Sequence, residues 1–208
     1  CVTHLGDSGV VFLCRFLSIK SGLDYFKSTD LIEAEIHRWQ KLFCSKYVKY
    51  VEDLLNECFS SHQRSEYGTY GRRSDVRQFP TTKHISLTTY VPPHLYGQLA
   101  KTEDGIAVLK SYRIVENCVD ELGKSLTILC DSYDSEQISE SEVLRLKSSL
   151  WSIGHICSTE HGLGLVLLEP QPVLAWIVNL ARQSLILSLR FTCFNVLSLV
   201  GATSRGSK

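Results

Sequence analysis

Apolar residues recur at threes and fours along most of this chain, the spacing that places them on one face of an α-helix. Between Leu31 and Phe59 they fall at Ile32, Ile36, Trp39, Phe43, Tyr47, Val51, Leu54 and Cys58, which predicts a long amphipathic helix with Asp30 and Glu33 placed to start it. Shorter stripes follow at Ile114, Cys118 and Leu122, at Leu146, Leu150, Ile153 and Cys157, and at Leu174, Ile177, Val178 and Ala181. The strand-like run HISLTTYVPP ends in Pro92 and Pro93, which favour an extended lead-in to a helix near His94. The stretch LILSLRFTCFNVLSLVGA, from Leu185 to Ala202, is apolar nearly all round and predicts a helix that neighbours must cover on several sides. The pattern predicts an all-α fold.

Between these helices, SSHQRSEYGTYGRRSDVRQFPTTKH is polar, glycine-bearing and locally basic. It predicts a loop, and the chain divides into a helical part over 1–59, an inserted mobile loop over 60–93 and a second helical part over 94–208.

Four segments share one register: FLCRFLSIKSGLDYF, HLYGQLAKTEDGIAVLK, LWSIGHICSTEHGLGLVLLEP and FNVLSLVGATSRGSK. Each carries an apolar run, a small residue, a polar turn and then a glycine, at Gly22, Gly105, Gly162 or Gly206. Eight residues earlier stands Cys14, Gly97, Gly154 or Ser198, always small; six earlier stands Phe16, Leu99, Ile156 or Val200, always apolar. Thr102, Thr159 and Thr203 stand three before the glycine, and Thr102 and Thr159 are placed to cap the next helix. Glu103, Asp104 and Glu160 add negative charge where the helix dipole favours it. Gly22, Gly97, Gly105, Gly154, Gly162 and Gly206 are therefore expected at joints where two helices approach closely. The joint glycines stand 44 residues apart from Gly162 to Gly206 and 57 apart from Gly105 to Gly162, against an armadillo and HEAT period of about 40–47, and the 83-residue gap from Gly22 to Gly105 needs an insertion or a missed repeat. This implies a helical-repeat solenoid with one inserted polar loop.

The same stretches could suggest chemistry, and each suggestion loses to a plainer reading. GLGLVL has neither the spacing nor the preceding strand of a phosphate loop. His155, Cys157 and His161 are metal-ligating types, yet they straddle a turn with no fourth ligand near in sequence. GDSG at 6–9 matches a protease nucleophile turn whose double β-barrel this chain lacks. The acidic run DSYDSEQISESE has no glycine at loop position six and reads as a solvated linker. Arg72, Arg73 and Ser74 form a candidate phosphorylation site within the basic loop.

Composition narrows the classes further. Twenty-two basic residues balance twenty-two acidic ones, so no net field gathers nucleic acid. Eight cysteines without a CxxC pair, spread through helical stripes, read as reduced and cytosolic. Arg15, Glu169, Arg182 and Arg190 break the apolar runs before they reach membrane-spanning length. The chain starts at Cys1 and has no methionine, which is expected of a piece of a longer protein. No cofactor, metal or enzymatic activity is expected.

HLYGQL with its TxxG joint, KSSLWSIGHICSTEHGLGLVLLEP and LSLRFTCFNVLSLVGATSRG resemble the rapamycin-insensitive companion of TOR, the Rictor/Pianissimo family. RFLSIKSGLDYF, RWQKLFCSKYVKYVEDLL and TYGRRS fit the same family in the same order. The family pattern has asparagine and glycine where this chain has His155 and Cys157, which weakens any inherited ligand role for them. The resemblance implies a segment from the central helical-repeat region of a non-catalytic scaffold subunit of TOR complex 2. It implies the TOR kinase and the other complex 2 subunits as partners, AGC kinases such as Akt as the targets presented, and effects on growth and the actin cytoskeleton. It also implies a cytoplasmic protein recruited peripherally to membranes with the complex. The competing reading is a generic armadillo adaptor binding peptides in a groove, for which only Asn179, Asn195, Trp151 and Trp176 offer the usual groove residues.

Overall fold

The computed structural model describes residues 6–29, 31–66, 93–131 and 139–208. Every regular element among them is a helix: α1 (Gly6–Leu17), α2 (Lys20–Ser28), α3 (Leu31–Arg38), α4 (Cys44–Glu66), α5 (Leu95–Leu99), α6 (Glu103–Ser111), α7 (Ile114–Asp131), α8 (Glu140–Cys157), α9 (Glu160–Val166), α10 (Val173–Gln183) and α11 (Leu187–Val200). The fold is all-α. The chain forms two compact units, one of residues 1–48 with 93–208 and one of residues 49–92. The second unit's described part, residues 49–66, is helical throughout.

Residues 60–66, expected to open the loop, belong to α4. Residues 67–92, with the rest of that loop, Ser74 and nearly all of the strand-like run, lie outside the described residues, as does Asp30. The helix expected over 31–59 is divided by a π-helical turn, Trp39–Phe43. Its cause is visible in the spacing: Trp39, Phe43 and Tyr47 stand four apart, and each step of four overshoots a turn of about 3.6 residues. A wider turn absorbs that drift. Trp39, Tyr47 and Val48 are all buried as a result.

In the larger unit the helices contact one another in rows. α1 packs on α5, α5 on α8 and α8 on α11, while α2 packs on α6 and α6 on α9. α7 also lies against α8, and α10 against α11. This is the adjacency a helical repeat produces, each unit resting on its neighbours. From the predicted stripes Ile32, Ile36, Ile114, Leu122, Leu146, Leu150, Ile153, Cys157, Ile177 and Ala181 are buried, whereas Val178 is exposed. Leu17, Leu23, Leu99, Leu109 and Val196 complete the core. Arg145 on α8 reaches Glu121 on α7, and Lys27 on α2 lies 3.6 Å from Asp104 on α6, so ion pairs mark the outer edges of the rows.

Candidate functional site

The joints between helices are built from very short stretches of sequence. Thr102 Oγ accepts a hydrogen bond from the Gly105 amide at 3.1 Å, and Thr159 Oγ accepts one from the Gly162 amide at 3.1 Å. Thr203 does the same for Gly206 at 3.0 Å. Each bond satisfies an amide that a helix start leaves without a partner. A side chain on Gly22, Gly105, Gly162 or Gly206 would run into the carbonyl oxygen of Phe16, Leu99, Ile156 or Val200 respectively. In every case that carbonyl belongs to the residue six positions earlier, at the end of the preceding helix.

Gly97 and Gly154 serve contacts between successive helices of one row. A Cβ on Gly97 would lie 3.0 Å from the His155 carbonyl oxygen, and one on Gly154 would lie 3.1 Å from both methyl groups of Val196. Thr159 also donates its hydroxyl to the Ala100 carbonyl at 2.9 Å, tying one joint to the joint before it. Glu160 continues the series by accepting from the Ser204 amide at 2.7 Å. At the start of α8, Ser139 and Glu142 form a reciprocal capping box inside the run expected as linker, of which residues 132–138 lie outside the described residues.

His155 stands at a crossing of three elements. Its ring stacks on His94 with centroids 4.9 Å apart, and its Nε2 shares a hydrogen bond of 2.8 Å with the Tyr47 hydroxyl. Trp39, Tyr47 and Tyr96 surround the His94 ring, and Trp151 stacks on His155. His94 Nδ1 accepts from the Tyr96 amide at 3.3 Å and so caps α5, which places its proton on Nε2. Burial lowers the pKa of His155 to about 4. It depresses that of His94 well below the ordinary histidine value, with His155 adding to the effect. Both rings are neutral at physiological pH.

The residues singled out for metal chemistry do not assemble. His155 is engaged with Tyr47 and His94, Cys157 is fully buried and His161 is exposed on α9. No group of three potential ligands occurs among the described residues. Burial pushes the thiols of Cys14, Cys118, Cys157 and Cys193 up to about 12, which keeps them protonated and poor nucleophiles near neutral pH. GDSG opens α1, and GLGLVL lies in α9 and its C-terminal cap.

Two features escaped the sequence reading. One is the aromatic crossing. The other is a cavity of about 390 Å³ between the π turn, the start of α4, α5, α7 and α8, lined by Cys44, Tyr96, Cys118, Ser148, Ser149 and Ser152 among others. Ser148 and Ser152 direct their hydroxyls to carbonyls one turn back, at 2.7 and 2.8 Å, so those hydroxyls already have acceptors. Two groove residues of the adaptor reading are engaged: Trp151 is buried in the crossing, and the Asn195 amide donates to the Phe191 carbonyl of its own helix.

Comparison with known proteins follows these joints along the chain. Residues 1–61 match the family described as the Rapamycin-insensitive companion of mTOR RasGEF_N domain, and residues 144–208 match Rapamycin-insensitive companion of mTOR, domain 5. The human Rapamycin-insensitive companion of mTOR is 36% identical over 208 residues, covering 99% of this chain and 11% of its own length. The Schizosaccharomyces pombe Target of rapamycin complex 2 subunit ste20 is 29% identical over 205 residues, covering 99% of this chain and 14% of its own. Protein pianissimo A of Dictyostelium discoideum is 28% identical over 199 residues, covering 94% and 15%. The chain thus spans only about a tenth of the length of the mammalian relatives. With all four joints inside a similarity that runs the length of the chain, it belongs to the Rictor/Pianissimo family, the rapamycin-insensitive companions of TOR.

Proposed function

We propose that this chain is a non-catalytic scaffold segment of a TOR complex 2 subunit. It helps organise the TOR kinase for phosphorylation of AGC kinases such as Akt, and through them acts on growth and the actin cytoskeleton. The observation that carries the reading is the similarity over nearly the whole chain to proteins named as companions of mTOR or as TOR complex 2 subunits. The rows of helices fit that role, because a repeat presents extended surfaces without needing a catalytic constellation. Neutral histidines and protonated thiols in the interior fit it too.

The helices stack as a solenoid of armadillo or HEAT type. The protein works in the cytoplasm and reaches membranes peripherally with its complex. No helix among the described residues is long and apolar enough to cross a membrane.

Purification of the full-length chain from cells with identification of co-purifying proteins tests the reading. TOR and the other complex 2 subunits are expected in stoichiometric yield. A broad set of unrelated peptide-bearing proteins would favour the adaptor reading, and recovery of neither would overturn both.

A further inference from the structure

The repeated helices α5, α8 and α11 can be compared position by position, counting back from the joint glycine of each. Eight before it stand Gly97, Gly154 and Ser198; seven before it stand Gln98, His155 and Leu199. The residue at minus seven of one helix covers the residue at minus eight of the helix before. His155 lies against Gly97, and Leu199, with Val196, lies against Gly154. The pairing holds from α5 to α8 and from α8 to α11, although the side chains differ and Val196 lies nearer to Gly154 than Leu199 does.

Applied once more, the rule assigns a cover to α11. On α8 the face at minus fifteen, twelve, eight and five carries Lys147, Leu150, Gly154 and Cys157, all buried. The matching residues of α11 are Phe191, Phe194, Ser198 and Gly201, and all four are exposed. Leu150 is 0% accessible where Phe194 is 56%, and Lys147 is 6% where Phe191 is 38%. These positions are spaced by three, four and three, one continuous helix face. Beyond it the next joint has begun to form: Thr203 caps Gly206, and the Ser207 amide already reaches the Thr203 carbonyl at 3.1 Å, the first turn of a further helix.

We propose that the Phe191, Phe194, Ser198 and Gly201 face is covered by a later helix of the same chain, beyond Lys208. That helix places its own minus-seven residue on Ser198. The proposal rests on the helical-repeat part of the functional reading and not on membership of the complex. The spacings along the last three joint glycines, 57 and 44 residues, set the address, the 83 from Gly22 to Gly105 being left aside: the covering residue stands 44–57 positions after Leu199. Its helix is apolar on the docking side, because Phe191 and Phe194 offer rings and no charge, and burying them against a polar face would strand polar groups.

The test is photo-crosslinking in the full-length chain with a small diazirine amino acid in place of Phe194, and identification of the captured peptide by mass spectrometry. Capture of a peptide of the same molecule 44–57 residues beyond Leu199 is expected. Capture of another region of the chain, of a second copy or of another subunit overturns the proposal, and so does reaction with solvent alone. A second measurement needs no substitution: hydroxyl-radical oxidation of Phe194 in the isolated full-length chain. It should be suppressed at least about tenfold relative to the unfolded chain and stay so on dilution. Oxidation at the unfolded rate, or protection that is lost on dilution or arises only on adding the other subunits, also overturns it. Failure to recover TOR with the chain would leave these outcomes untouched, so the two readings can fail separately.

Discussion

The carbonyl oxygen of Ile156 occupies the space that a Cβ on Gly162 would take. The obstacle is backbone at the end of one helix facing backbone in the first turn of the next, so a rotamer change cannot relieve it. The same pairing joins Phe16 to Gly22, Leu99 to Gly105 and Val200 to Gly206. The joint is thus a fixed geometry repeated four times.

Thr102 and Thr159 cap equivalent helices, yet they should differ when replaced. Thr102→Ala loses one capping bond and should cost about 1 kcal/mol. Thr159→Ala also loses the hydroxyl donated to the Ala100 carbonyl, and should cost roughly 0.5–1.5 kcal/mol more. Equal shifts of the urea midpoint in the two variants would mean that the tie between joints contributes nothing.

At Gly154 the nearest obstacle is the pair of Val196 methyl groups, which can be removed, with the flexible end of Leu199 next at 3.3 Å. Gly154→Ala in the natural background is expected to destabilise, since its Cβ meets buried Val196 at 3.1 Å. In a Val196→Ala background the same change should turn neutral or stabilising by up to about 1 kcal/mol, the helix-propensity advantage of alanine over glycine. A double-mutant cycle by denaturant unfolding reads the coupling directly. Additive effects would contradict the contact.

The buried histidines make stability depend on pH with a definite sign. His155 titrates in the folded chain at about 4 and in the unfolded chain near 6.5. Its neutral form is therefore favoured by folding, the contribution is fully present above about pH 6.5, and it is lost as the pH falls toward 4. The shift corresponds to about 3 kcal/mol at most, less whatever the partly accessible ring edge retains in solvation. His94 acts in the same direction. The urea midpoint should drop between pH 7 and pH 4.5, and His155→Gln should flatten that slope while losing the bond to Tyr47. An unchanged slope in the variant would exclude His155 as its source.

The all-α class was legible because helix periodicity is local and survives in almost every segment. The bond from Thr159 to Gly162 spans three residues, so a local motif can contain it. The crossing at His155 was not legible in that way. Tyr47 lies 108 positions away, and no pairing rule links the two segments. Counting turns at 3.6 residues likewise hid the π turn, whose mark was the run of fours from Trp39 to Tyr47. The cavity beside it is lined from five elements, the π turn, α4, α5, α7 and α8, and leaves no trace in any one.

The joint itself is tested most directly by comparing two neighbouring glycines of α9. Gly162→Ala must displace the Ile156 carbonyl and should destabilise the chain by about 1–3 kcal/mol. Gly164→Ala finds only the Arg205 guanidinium at 3.7 Å and should leave stability unchanged or raise it by up to about 1 kcal/mol. Denaturant unfolding of the two variants against the natural chain gives both numbers. Opposite signs are predicted; a Gly162→Ala variant as stable as Gly164→Ala would contradict the repeated joint on which the stacking of these helices depends.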